Sequence, residues 1–273
     1  MSHPFERILL ATEHTEFDSG AERLAFDMAL RYGVPLAAVV PVVSNPEYEA
    51  IAPQLAEHAE HEAVARIKML YEAAAAAGVQ LEVNARRGAE PYIEIVQEAV
   101  ARQSDLIVTR RRGRRSFLSN LLIGETVSKV VGDAPCSVLF VPRAAQMWSH
   151  GILAGVDNSP NAEHVAHAAA KIAAQCGLPL TLVSVLSHDV DSLRTQAEHT
   201  LGHVLAVASA AGADAQSRIL LGKPFEQLLS SANALDLIVV GRHGESNLIR
   251  APFGGTTQKV VGLADSPVLV VRA

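Results

Sequence analysis

A chain of 273 residues with a net charge of −6 is long for one domain and comfortable as two, each able to bury its own core. Its 49% apolar and 19% charged residues fit an ordinary globular protein and leave no disordered tract long enough to matter. Residues 1–146 carry 15 Lys/Arg against 19 Asp/Glu and the remainder 8 against 10, so neither half is a basic module for specific nucleic acid or for a membrane surface.

At the N-terminus, "MSHPFERILLATEHTE" lacks a basic stretch followed by a long apolar one, and no apolar run approaches the ~20 residues of a membrane span. The two cysteines, Cys136 and Cys176, lie far apart with neither CxxC nor histidine-partner spacing. Disulfide and zinc scaffolds are thereby disfavoured, and a cytoplasmic chain is expected. Ile8 to Thr12 is a short continuous apolar run, the mark of a parallel strand covered on both faces. Asp18 or Ser19 can cap a helix through about Arg31, which Gly33 and Pro35 end. Leu36 to Val43 reads as a second strand. A long helix follows Pro53, with Leu55, Ala59, Ala63, Ile67, Leu70, Ala74 and Ala77 spaced three or four apart, and stops at Gly78. A strand "LEVNARR", a helix from about Pro91, a strand "LIVT", a helix "TVSKVVGD" and a fifth strand complete the first half.

The second half repeats the first. "RILLATEH" (Arg7 to His14) aligns with "GILAGVDN" (Gly151 to Asn158), each an apolar strand ending at an acid, Glu13 or Asp157. "YGVPL" aligns with "CGLPL", "SDLIVTRRRG" with "LDLIVVGRHG", and "SVLFVPR" with "PVLVVRA", all in one order. The second copy is shorter, mostly in its second helix. Domains over 1–146 and 147–273 follow, with "AAQMWSH" (144–150) as linker. Alternating strands and helices predict an α/β fold of two five-stranded, mostly parallel sheets with helices on both faces. In such sheets ligands sit at the carboxyl ends of strands where strand order reverses, an edge that Asp157 and Gly241 would both reach.

The acid after the first strand, the Gly-x-Pro after the third, the pattern G-x-x-G-x9-G-[S/T] after the fourth and a final "PVLVV" strand resemble the universal stress proteins, in their tandem form. The resemblance covers essentially both halves. It implies two tandem Rossmann-like, adenine nucleotide alpha hydrolase-like sandwiches packed as an intrachain pseudo-dimer. The final strands, Val138 to Val141 and Val268 to Val271, would pair across a two-fold axis and remove two sheet edges. Relatives of this layout imply that two chains can associate further as a homodimer. The family divides into ATP-binding and non-nucleotide-binding types, and the glycine pattern separates them.

In the second domain Gly241, Gly244 and Gly254 keep the family spacing, with nine residues between the last two. Glycines let backbone approach a phosphate, and the amides that open the following helix point at an anion. Gly255 stands where the ATP-binding members have Ser or Thr; Thr256 or Thr257 is a candidate substitute for a hydroxyl worth ~1 kcal/mol. By resemblance Asp157 would lie beside the nucleoside, with Arg242 and His243 adding positive charge near the phosphates. The ligand expected is ATP, with Mg²⁺ accompanying it. The competing reading is that the glycines make tight turns inherited with the fold.

The first domain departs further. Arg110 replaces the first glycine, ten residues separate Gly113 from Gly124, and Glu125 stands at the Ser/Thr position. One carboxylate about 4 Å from one phosphate charge costs ~4 kcal/mol at an effective dielectric of 20, and Glu13 crowds a pocket that Asp would suit. No ATP is expected there. Arg110, Arg111, Arg112, Arg114 and Arg115 instead form a cluster that could take an anionic small molecule, a lipid head group or an acidic surface. RNA is a weaker match, since only Phe117 could stack. The plain alternative is a solvated loop whose arginines pair with nearby acids.

Three histidine pairs, His58/His61, His164/His167 and His199/His203, have helical ligand spacing, but none belongs to an HExxH motif and no metal site is expected. No nucleophile elbow, Walker loop or pair of acids marks a catalytic centre. A stress-response protein that binds an adenine nucleotide without catalysis, or with slow incidental hydrolysis, is therefore the expectation. A nucleotide-free scaffold or binder of another anion is the alternative.

Overall fold

The computed structural model describes residues 3–111, 125–244 and 254–272. In chain order the first half runs β1 (Ile8–Ala11), α1 (Ser19–Tyr32), β2 (Leu36–Val43), α2 (Pro46–Ile51), α3 (Pro53–Ala76), β3 (Leu81–Gly88), α4 (Pro91–Ala101), β4 (Leu106–Arg110), α5 (Glu125–Asp133) and β5 (Ser137–Val141). The second runs β6 (Gly151–Gly155), α6 (Ala162–Cys176), β7 (Leu180–Leu186), α7 (Asp191–Ala210), β8 (Ala215–Leu221), α8 (Pro224–Ser231), β9 (Asp236–Gly241), α9 (Gly255–Leu263) and β10 (Val268–Val271). The apolar runs become strands because helices cover both faces: every residue of β1 and of β10 is buried.

The strands form one sheet in the order β3-β2-β1-β4-β5-β10-β9-β6-β7-β8. The two halves share a register. Ile8 lies opposite Leu36 and Leu106, and Ile152 opposite Leu180 and Leu237. Within each half all pairs are parallel; the halves meet where β10 runs antiparallel to β5, Val268 facing Phe140, Leu269 facing Leu139 and Val270 facing Val138. The final strands thus pair with each other. Strand order reverses between β1 and β4 and again between β6 and β9, which fixes two crevices at the carboxyl ends of these strands.

Three local expectations change. Asp18 sits at the α1 N-cap but makes no cap bond, because its carboxylate is engaged elsewhere; Gly33 closes the helix at φ 63. The helix α2, six residues long, was not foreseen. In α3 only the later part of the predicted apolar stripe is buried: Ala63, Leu70 and Ala74 pack inward, Ile67 lies against the core, and Ala59 and Ala77 are exposed. The side chain of Leu55 lies outside the described residues.

Candidate functional site

The second crevice is built from backbone. Strand β6 delivers Asp157, strand β9 ends at Gly241, and the chain returns at Gly254, whose N–H donates to the carbonyl of Arg242 at 2.9 Å. These elements surround a cavity of about 310 Å³. Its apolar walls include Val156, Val165, Val183, Val185 and Leu228, and its polar rim carries Asp157, Ser159, Asn161, Ser187 and His243. Gly241, Gly244, Gly254, Gly255, Thr256 and Thr257 close the side at which α9 begins. The sequence signals at Gly241, Gly244, Gly254, Asp157 and His243 therefore converge on one concave surface.

Two close approaches explain residues in this wall. A Cβ on Gly244 would collide with Oδ2 of Asp157, so any other residue here would force that carboxylate to move. Oδ1 of the same carboxylate accepts the Ser159 N–H at 3.1 Å, which orients it at the rim. By contrast, a Cβ on Gly255 would meet nothing within 4 Å. The first turn of α9 contains no acidic residue, so its N-terminal amides keep their attraction for an anion.

The remaining sequence candidates divide, the two threonines on the cavity wall and Arg242 outside it. The Thr257 hydroxyl donates to the Gly241 carbonyl at 2.7 Å and is buried, so it braces the turn, while Thr256 lies on the cavity wall. Arg242 is not part of that wall. Burial pulls its pKa down, neighbouring Arg272 adds to the effect, and Asp133 at the end of α5 opposes it. Ser159, Asn161 and the valine walls were not singled out from the sequence; the one available signal was Asn161 just before α6, where a helix cap is common.

The first crevice, about 220 Å³, contains Thr12, Glu13, Asp18, Thr109 and Arg110 among its lining. Arg110, which replaces the glycine, lines this crevice with its own side chain. Its Nη1 donates to Asp18 Oδ2 at 3.1 Å and to Thr15 Oγ1 at 3.0 Å, and its Nη2 lies 3.5 Å from Glu13 Oε1. Asp18 is 1% exposed, so this guanidinium neutralises a buried carboxylate. Arg111 turns toward the second domain and donates from Nη1 to the Gly262 carbonyl at 3.0 Å. Arg112, Gly113, Arg114, Arg115, Phe117, Gly124 and the side chain of Glu125 lie outside the described residues.

Of the histidines, His58 lies 3.3 Å from Glu62 and His203 3.3 Å from Glu163, both on exposed helix faces. Among the described residues no group of three or more His, Cys, Asp or Glu is placed to hold a metal ion. Both cysteines are free thiols, and burial, aided by Asp105, pushes Cys136 up to about 12. No helix among the described residues is long and apolar enough to cross a membrane.

A doubly wound sheet repeated in tandem, with its crevices at the switch points, defines a Rossmann-like α/β protein of duplicated type. The model of the universal stress protein family matches residues 4–142 and again 149–272, and the chain belongs to that family. A universal stress protein of Synechocystis sp. is 26% identical over 170 residues, 62% of this chain and 58% of its own length. One from Thermus aquaticus is 33% identical over 144 residues, half of this chain and 98% of its own. In structure, the chain is similar to a universal stress protein from Archaeoglobus fulgidus, with a TM-score of 0.70 at 19% identity, over 99% of this chain and 97% of that one. This last likeness concerns the fold.

Proposed function

We propose that this member of the family binds an adenine nucleotide, ATP, in its second domain and acts by occupancy rather than by turnover. The observation that carries the reading is the convergence of Asp157, the Gly241–Gly244 turn and the start of α9 on one cavity of about 310 Å³. The donor set fits a nucleotide. Asp157 is an acceptor for nucleoside hydroxyls, the valine walls suit a flat apolar ring, and the amides of Gly255 to Thr257 with His243 suit phosphates.

The first domain, in this reading, takes no nucleotide. Arg110 and Arg111 are engaged within the protein, which supports the second domain over the arginine loop as the ligand site. The test is thermal unfolding of the full chain with ATP and Mg²⁺. ATP is expected to raise the midpoint of the unmodified protein, and Gly244→Ala, whose new methyl would collide with Asp157, is expected to lose that rise. An equal rise in the variant overturns the assignment.

A further inference from the structure

The helix α9 is held at its two ends by different domains. Its N-terminus, Gly255 and Thr256, faces the second-domain cavity. At the other end the Gly262 carbonyl, one of the last four and so without a partner inside the helix, accepts the bond from Arg111 of the first domain at 3.0 Å. Arg111 has a fixed base. Its own N–H donates to the Val141 carbonyl of β5 at 2.8 Å, and β5 pairs with β10, the strand into which α9 leads. A near-symmetric relation exists on the other side, where Arg242 lies within electrostatic reach of Asp133, the last residue of α5.

We propose that Arg111 is a positioning residue for the second-domain site: by anchoring the C-terminus of α9 it sets where the N-terminal amides of that helix meet phosphate. The inference rests on the nucleotide reading above. A helix of nine residues is a stiff rod of about 13.5 Å, so a shift at its C-terminal end is passed on to its N-terminal turn. Anion contacts through amides depend on such placement, and a cation at the C-terminal end also complements the helix dipole. The nucleoside side of the cavity is built differently. Asp157 and Val183 belong to the β6 end and β7, not to α9.

The experiment compares dissociation constants for ATP and for adenosine in the full chain, its Arg111→Met variant and its Arg111→Lys variant. Arg111→Met is expected to weaken ATP about three- to fivefold, the scale of a charge at a helix end, and to leave adenosine little changed. Arg111→Lys, which keeps a charged donor, is expected to recover most of the ATP affinity. Equal ATP affinity in the unmodified chain and Arg111→Met overturns the inference but leaves the nucleotide reading standing. Parallel loss of ATP and adenosine without recovery by lysine shows a merely structural role and also overturns it. Absence of ATP binding by the unmodified chain sinks both. Should Arg111→Met not fold, Arg111→Gln, a shorter uncharged arm, carries the same expectations.

Discussion

At Gly255 the chain departs from the Ser or Thr of the ATP-binding pattern without a steric reason, since a Cβ there would meet nothing within 4 Å. A hydroxyl restored at this position would add one donor at the mouth of α9. Gly255→Ser is therefore expected to tighten ATP about fivefold, the equivalent of ~1 kcal/mol for one net hydrogen bond. Titration of the two proteins side by side checks it, and weaker binding by the serine variant contradicts the placement of phosphate at this turn. Gly244 is the opposite case, because there a side chain would displace the Asp157 carboxylate. Gly244 was visible in the sequence as spacing and Gly255 as a departure from the pattern, but neither signal carries steric information. The same holds for Arg110: its replacement of a glycine was legible, whereas its partner Asp18, 92 residues earlier, became evident only in the folded crevice.

Elements were legible where burial is two-sided. The runs that became β1, β2 and β4 read directly as apolar stretches, and Gly33, Gly78 and Pro91 marked helix ends because they act locally. The α3 stripe misled for a geometric reason. Twenty-four helical residues extend about 36 Å, while the eight-residue strands beside them span about 27 Å, so part of the helix overhangs the sheet. A six-residue α2 is too short to show a period. Docking of α1 offers a test at this scale. A Cβ on Gly20 would stand 2.2 Å from the Pro142 carbonyl oxygen and 2.8 Å from that of Arg143, both backbone atoms that cannot rotate away. Gly20→Ala is expected to destabilise the protein by about 1–3 kcal/mol in urea unfolding, the range for overpacking. An unchanged midpoint would contradict the close seating of α1 on the segment after β5.

Across the whole molecule, the duplication was legible as matching segments in one order, and the register of the two halves repeats accordingly. The pairing of the final strands was implied by the resemblance, whereas the side-chain bond between the copies was not legible. The bond from Arg111 to Gly262 joins residues 151 positions apart, with no signal in composition or period. The β5–β10 ladder turns two sheets into one and leaves the outer edges at β3 and β8. Within this frame the copies have diverged: one crevice is lined by Arg110 paired with Asp18, and the other by glycine and the open end of a helix. The measurement that tests this account most directly is calorimetric titration of purified, nucleotide-free protein with ATP and Mg²⁺, beside Asp157→Ala and Gly254→Glu. The account predicts micromolar binding at one site per chain, lost in both variants. No heat at millimolar ATP, or two equivalent sites per chain, would contradict it.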